Sequence, residues 1–228
     1  MKIYIVIPAH NEGKRIGKVI ADIGATKLNL SIIVVDDGST DNTSQIVSKF
    51  QISNFKFQIT LLTHQINLGK GAAMKTGCEY AFLHGADAVI FMDSDGQHEV
   101  RDLPKFIEAL NTGKYDVVLG TRNYSFGVPL VRYLGNKFAS VVMAALFHTY
   151  VSDVICGYRA MTKKGYEKIK WDSDGYGVET EMVARMGKNR ASFCEVPVAT
   201  IYHDNVKGVT LLDAIGILGD VLKWRLTL

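Results

Sequence analysis

The chain has 228 residues, 47% hydrophobic and 21% charged, with 21 glycines and 4 prolines, which excludes disordered and fibrous classes and leaves material for a large core. At roughly 150 residues per domain this length suits one compact unit rather than two. With 26 Lys and Arg against 23 Asp and Glu the net charge is +3, too even a balance for a strongly basic nucleic-acid binder.

Apolar runs of strand length alternate with helical patterns through residue 120, predicting strands at 3–8, 31–36, 57–63, 88–93 and 115–120 and helices near 12–24, 42–50, 70–84 and 102–111. Such alternation predicts parallel strands with crossover helices, an α/β doubly wound half. Beyond it the pattern predicts a helix at 133–147, a short strand near 158–161, helices near 163–169 and 177–187, a strand near 191–199 and a C-terminal helix within 210–228. With no repeat or linker, this second half is expected to fold onto the sheet.

The opening run from Ile3 to Pro8 turns polar at His10 without a cleavage pattern, so it reads as a buried strand rather than a signal peptide. The apolar stretch from Val141 to Phe147 stops at His148, far short of the ~20 apolar residues that cross a bilayer. Two segments are candidates for lying on a membrane: 128–150, with Arg132 and Lys137 near its start, and the C-terminal helix, where Leu211, Ile215, Leu218 and Leu222 recur at helical spacing. Packing of that stripe on the core is the alternative. Cys78, Cys156 and Cys194 are widely separated, as suits buried thiols of a reducing, cytoplasmic compartment.

In doubly wound sheets ligands bind beyond the carboxyl ends of the strands. Here those ends carry His10-Asn11-Glu12, Asp36-Asp37-Gly38-Ser39, Asp93-Ser94-Asp95-Gly96-Gln97 and Gly120-Thr121-Arg122. Asp93, Asp95 and Gln97 emerge from a strand on alternate positions, an oxygen set suited to Mg2+ or Mn2+ together with substrate phosphates. A metal there would neutralise a nucleoside diphosphate leaving group. Asp36 and Asp37 lie at the parallel position one β–α unit earlier, where carboxylates accept from a base or from ribose hydroxyls. His98 is a candidate for a place near the phosphates or the metal. The stretch from Asn67 to Gly77 looks like a phosphate loop, but Met74 stands where both nucleotide patterns require glycine. Its glycines are expected to let the chain pass close to a nucleotide or to start a helix.

Together Pro8-Ala9-His10-Asn11-Glu12, Val35-Asp36-Asp37-Gly38-Ser39-x-Asp41, Asn67-x-Gly69-Lys70-Gly71, Asp93-x-Asp95-x-Gln97-His98, Gly120-Thr121-Arg122 and Asp153-x-x-x-Gly157-Tyr158-Arg159 resemble family 2 glycosyltransferases over about 3–210. In order and spacing they are most similar to the dolichyl-phosphate mannose and glucose synthase branch. The resemblance implies a glycosyltransferase-A, Rossmann-like fold with a mostly parallel central sheet flanked by helices, forming a single catalytic domain over 1–228. Within it, 1–122 would be the nucleotide-sugar half and 123–228 the acceptor half with its amphipathic C-terminal helix. The implied activity is inverting, metal-dependent transfer of a hexose from a nucleotide sugar, GDP-mannose or UDP-glucose or UDP-N-acetylglucosamine, to dolichyl or another polyprenyl phosphate.

Carried over position by position, Pro8, Ala9, Asn11, Glu12, Asp36 and Asp37 would hold base and ribose, with Lys70, Asp93 and Ser94 completing the donor site. Asp93, Asp95 and Gln97 would hold Mg2+ or Mn2+, while Asp95, Arg122 and Arg132 would be catalytic. Arg132, Asn136 and Arg159 would face the acceptor. Where the branch has an arginine followed by Gly-x-Ser/Thr, this chain reads His203-Asp204-Asn205-Val206-Lys207-Gly208-Val209-Thr210, so Lys207 or His203 would supply that positive charge to the diphosphate.

A polyprenyl phosphate is largely ionised at neutral pH and requires no general base. A saccharide or other hydroxyl acceptor would require one, for which Glu179 and Glu181 are the candidates. A nucleotide-sugar-binding module without catalysis is the further alternative, and the intact Asp-x-Asp-x-Gln motif speaks against it. The partners implied are the donor, the lipid phosphate and, by peripheral contact, the cytoplasmic face of a membrane.

Overall fold

The computed structural model describes residues 1–26, 28–52, 57–122, 130–199 and 211–228, the side chains of 130–132, 211–215, 217 and 218 excepted. The chain runs β1 (Ile3–Ala9), α1 (Ile16–Ala25), β2 (Ser31–Asp37), α2 (Thr43–Ile52), β3 (Ile59–His64), α3 (Lys70–Leu83), β4 (Ala88–Phe91), α4 (Leu103–Asn111), β5 (Val117–Arg122), α5 (Leu130–Phe147), β6 (Arg159–Thr162), α6 (Lys163–Ile169), α7 (Val178–Lys188), β7 (Phe193–Val198) and α8 (Leu211–Thr227). Every predicted element is present within a few residues of its expected place. The first helix begins at Ile16 rather than 12 because the chain first makes a turn, in which the Arg15 and Ile16 N–H groups both donate to the Glu12 carbonyl at 2.9 Å.

Among the described residues seven strands form one sheet in the order β3-β2-β1-β4-β6-β5-β7. β1 is buried along its whole length, as a central strand covered on both faces must be, which explains its unbroken apolar run. All neighbours pair in parallel except β6, which runs antiparallel to both β4 and β5. Arg159, the first residue of β6, is paired with Phe91 and with Leu119 near the carboxyl ends of β4 and β5. The segment 148–158 therefore carries the chain back to the edge where ligands bind in sheets of this kind.

Alternate strand residues divide the core. Tyr4, Val6, Ile33, Val35, Val89 and Phe91 pack with Met74, Met143, Trp171, Met182 and Trp224 on one face. Ile5, Ile7, Ile32, Val34 and Ile90 pack with Ile16, Ile20, Leu103 and Phe106 on the other. Of the stripe expected on the C-terminal helix, Leu211, Ile215 and Leu218 have side chains outside the described set. Leu222 is exposed, and Val221 and Trp224 are buried instead. No described helix is long and apolar enough to cross a membrane.

Candidate active site

At the ends of β1 and β2 the expected base- and ribose-side residues are laced to one another. Asn11 has φ 54°; its Oδ1 accepts from the Thr40 N–H at 2.8 Å and its own N–H donates to Ser39 Oγ at 2.9 Å. The Glu12 N–H donates to Thr43 Oγ1 at 2.9 Å. Pro8 and Ala9 close β1 beside Val35 and Asp36 of β2. Asp36 and Asp37 are both buried. Asp36 accepts from the Ser39 N–H at 3.0 Å and from the Ser44 hydroxyl. Asp37 accepts from His64 Nδ1 at 2.7 Å and from the Leu68 and Gly69 N–H groups at 2.9 and 2.8 Å. Within the protein, these acids hold the turns that follow β2 and β3.

The glycine-rich start of α3 is closed rather than open to a phosphate. The Gly71 and Ala72 N–H groups, which an N-terminal turn leaves without helical partners, donate to the Asp174 carbonyl at 2.5 and 3.3 Å. Gly69, at φ 97°, lies so close to the Asp174 backbone that a Cβ would collide with it. Trp171 Nε1 donates to the Gly71 carbonyl at 2.9 Å, fastening the same crossing.

Lys70 points instead to the acids. Its Nζ lies 2.8 Å from Asp93 Oδ1 and 2.8 Å from Glu179 Oε1, joining the end of β4 to the start of α7. Burial pushes the Asp93 carboxyl up, but the Lys70 ammonium, by its charge and its hydrogen bond, outweighs this and holds Asp93 at about 2. Burial would likewise lower the Lys70 ammonium, and the Asp93 and Glu179 charges raise it instead. Asp95 goes the other way: burial first, then the Asp93 charge, push its carboxyl up. Asp95 Oδ1 accepts from the Gln97 N–H at 2.9 Å, and Ser94 is buried between the two acids.

His98 is stacked on Tyr158 at 4.7 Å, and Tyr158 on Phe106 at 4.4 Å. Burial lowers its pKa against the pull of Asp93. Consistent with a neutral ring, Nδ1 accepts from the Asp93 N–H at 3.1 Å. His98 holds the Asp93 backbone, with its Nε2 3.6 Å from Asp93 Oδ2, and so lies beside the acids of the candidate metal site. Asp95 also lines a cavity of about 410 Å3 with Lys14, Arg15 and Lys18, three cations not singled out from the sequence although Lys14 and Arg15 closely follow the first strand.

Among the described residues no three His, Cys, Asp or Glu side chains gather as a metal cage. Asp93 and Asp95 nevertheless fit a hard divalent ion. Their like charges raise one carboxyl against the other, a repulsion a cation relieves, and such ions bind through one or two carboxylates plus phosphates and water. Gln97 stands beside them, tied to Asp95 through its backbone.

At the end of β5 Arg122 meets Asp153 in a two-pronged ion pair, Nε to Oδ2 at 2.7 Å and Nη2 to Oδ1 at 2.8 Å. Asn136 is buried and works on the same segment: Nδ2 donates to the Ser152 carbonyl at 3.0 Å and Oδ1 accepts from the Val154 N–H at 3.1 Å. Glu195 accepts from Ser152 at 2.6 and 2.7 Å. Asn136, expected at the acceptor, thus acts as a clamp on 152–154, because its amide has just the donor and acceptor that loop requires.

Arg159, also expected to face the acceptor, lies in the interior. It is 0% exposed, and its guanidinium donates to the carbonyls of Cys156 at 2.7 Å, Glu179 at 2.8 Å and Val154. A group so enclosed cannot touch an acceptor; it ties the 154–159 crossing to α7. Of the two glutamates, Glu179 faces Lys70, whereas Glu181 is wholly buried and accepts from the Asp172 and Ser173 N–H groups at 3.0 and 2.7 Å and from Arg185 Nε at 2.6 Å. Glu181 is therefore not placed to act as a base. The side chain of Arg132, and Lys207 and His203, lie outside the described residues.

Two site residues escaped the sequence reading of individual roles, Asp153 and Gly157, although both stand in the Asp-x-x-x-Gly-Tyr-Arg motif. A Cβ on Gly157 would come within 2.8 Å of Asp93 Oδ2 and 3.0 Å of Lys70 Nζ. The missing side chain is what lets the crossing pass over that ion pair.

A seven-stranded sheet with β6 inserted antiparallel, its carboxyl edge followed by Asp93, Asp95 and Arg122 with Lys70 paired to Asp93, is the glycosyltransferase-A architecture. Glucosyl-3-phosphoglycerate synthase from Mycobacterium tuberculosis, in complex with Mn2+, uridine diphosphate and phosphoglyceric acid, has a similar fold, with a TM-score of 0.75 over 98% of this chain and 78% of that chain, at 20% identity. The family model for glycosyl transferase family 2 matches residues 4–172, and the chain belongs to that family; it is a glycosyltransferase. It is 32% identical over 218 residues to the UDP-N-acetylglucosamine–dolichyl-phosphate N-acetylglucosaminyltransferase of Methanococcus voltae, covering 89% of this chain and 86% of the relative. It is 27% identical over 201 residues to the polyprenol monophosphomannose synthase of Mycolicibacterium smegmatis, covering 85% and 75%.

Proposed function

We propose that this enzyme transfers a hexose, with inversion, from a nucleotide sugar to a polyprenyl phosphate at a membrane surface. The observation that carries this reading is an apolar stripe left exposed on α5. Its inward face holds Asn136 and Ser140 together with the core residues Met143 and Phe147, while Leu134, Phe138 and Val141 stand 54, 58 and 61% exposed on the outward face. Apolar side chains aligned on the outer face of a helix suit contact with hydrocarbon, and α5 starts just after the β5 end that carries Arg122. The names of the two relatives point to the same acceptor class.

In this reading residues 1–122 take the donor, GDP-mannose or UDP-glucose or UDP-N-acetylglucosamine, and 123–228 the acceptor, as parts of one catalytic domain. Pro8, Ala9, Asn11, Glu12, Asp36 and Asp37 frame the base and ribose recess. Asp93, Asp95 and Gln97 would hold Mg2+ or Mn2+, which when bound neutralises charge on the departing diphosphate; the Mn2+ in the structural relative supports this. Lys70 and Arg122 supply fixed positive charge between two anions that would otherwise repel in a low-dielectric cleft. The acceptor phosphate is already ionised, so no residue need remove a proton from it. Lys207 or His203 and Arg132 would add charge on the diphosphate and acceptor sides.

The test is transfer from radiolabelled UDP-glucose, UDP-N-acetylglucosamine and GDP-mannose, with Mg2+ or Mn2+, into dolichyl or undecaprenyl phosphate, scored in the organic phase. Label entering lipid from one donor is the expected result. Donor hydrolysis with no lipid product overturns the acceptor assignment and leaves Glu179 as base for a hydroxyl acceptor.

A further inference from the structure

Lys70 places its own charge on Asp93, one of the two acids on the metal side. Its Nζ is 2.8 Å from one oxygen of Asp93 and 2.8 Å from one of Glu179, so a single ammonium serves carboxylates from two elements. It is held there from behind. The first turn of α3 is pinned by the Asp174 carbonyl on the Gly71 and Ala72 N–H groups, and by Asp37 Oδ2 accepting from the Gly69 N–H at 2.8 Å. Gly157 leaves the room it occupies. A divalent ion approaching Asp93 and Asp95 therefore meets a competing cation already bonded to Asp93.

We propose that Lys70 is a resident counter-ion that keeps divalent metal weakly bound until a nucleoside diphosphate arrives, so that metal and nucleotide bind with positive coupling through this one side chain. The inference rests on Asp93 and Asp95 as the metal-side acids. The diphosphate changes the balance because it brings fresh negative charge: it offers Lys70 another partner and offers the metal further oxygens. Coupling of this kind is reciprocal, so metal must tighten nucleotide by the same factor. Lys70 acts here as a positioning residue, through Asp93.

The experiment measures Mn2+ affinity by the free-ion electron paramagnetic resonance signal, with the protein alone and with UDP or GDP present, taking the Mn2+–nucleotide mixture as baseline. The wild-type protein is expected to bind Mn2+ weakly alone and at least tenfold more tightly with the nucleotide it recognises. Lys70→Met is expected to bind Mn2+ alone at least tenfold more tightly than wild type and to lose most of the nucleotide enhancement, while Lys70→Arg stays near wild type. Glu179→Gln, which leaves Lys70 wholly to Asp93, is expected to weaken Mn2+ binding without nucleotide; it tests the same idea if Lys70→Met fails to fold by circular dichroism. Mn2+ binding unchanged or weaker in folded Lys70→Met, or tighter in Glu179→Gln, overturns the counter-ion role while sparing the metal site. No Mn2+ binding by the wild type with either nucleotide overturns both.

Discussion

Arg122 and Asp153 are locked to each other by two parallel hydrogen bonds, at 2.7 and 2.8 Å, with the Arg122 N–H adding a third contact to Asp153 at 3.2 Å. The last residue of β5 is thereby aimed by a residue 31 positions later. Two-pronged guanidinium–carboxylate pairs fix direction as well as charge. Asp153→Asn keeps the shape but loses the charge, and is expected to cost about 2 kcal/mol in urea unfolding and to slow transfer about tenfold or more. Transfer at the wild-type rate would show that the aim of Arg122 does not matter.

Asp95→Asn is expected to abolish Mg2+- or Mn2+-dependent transfer while keeping the thermal transition, since among the described residues Asp95 is held by a short turn contact with the Gln97 backbone. Full activity in the variant sinks its place at the metal.

Gly157→Ala introduces a methyl group at 2.8 Å from Asp93 Oδ2, inside van der Waals contact. The Asp93–Lys70 pair has to shift, and displacement of reacting groups by about 1 Å costs on the order of 100-fold in rate. Stability is expected to fall by about 1–3 kcal/mol. Steady-state transfer and denaturation on the same sample separate the two effects.

Asp116 lies far from the cleft and offers a pH test. Burial pushes its carboxyl up, but hydrogen bonds from Lys168 and Ser192 outweigh this and hold it at about 2. A folded-state value below the unfolded one gives stability that is present above the ordinary aspartate range and is lost as pH falls through the folded value. The expected contribution is about 2 kcal/mol, lost between about pH 4 and pH 2. Asp116→Asn removes that part of the acid slope, and Asp93, also held at about 2, accounts for a remainder. An unchanged slope in urea melts across this range contradicts the assignment.

Replacing Leu134, Phe138 and Val141 together by Gln is expected to leave the fold intact, because all three are more than half exposed. Co-sedimentation with phosphatidylglycerol vesicles should weaken at least tenfold, as three apolar side chains lose burial of order 1 kcal/mol each. Equal vesicle binding by the variant would remove α5 as the docking face.

Most elements were legible because buried parallel strands are unbroken apolar runs and strand ends carry the polar chemistry: Ile3 to Ala9 and Ala88 to Phe91 followed by Asp93 needed no tertiary information. The direction of β6 was not legible, since four residues such as Arg159-Ala160-Met161-Thr162 carry no mark of which way they run between neighbours. The same gap hid the fate of Arg159. An arginine after Gly-Tyr suggests a phosphate, and only the surrounding carbonyls of Cys156, Val154 and Glu179 make it an interior strut. Glu179 and Glu181 look equivalent in sequence; two positions of helix rotate one toward Lys70 and the other into the loop at 172–173.

The antiparallel insertion of β6 has a consequence for modularity. β5 finds its two neighbours in β6 and β7, both supplied by the later half of the chain, while β4 reaches β5 only across β6. A cut or recombination after residue 122 would strand β5 with neither partner, exposing the edge of Val117-Val118-Leu119. Residue 122 is thus no boundary for exchange of parts: the stretches before and after it share one woven sheet.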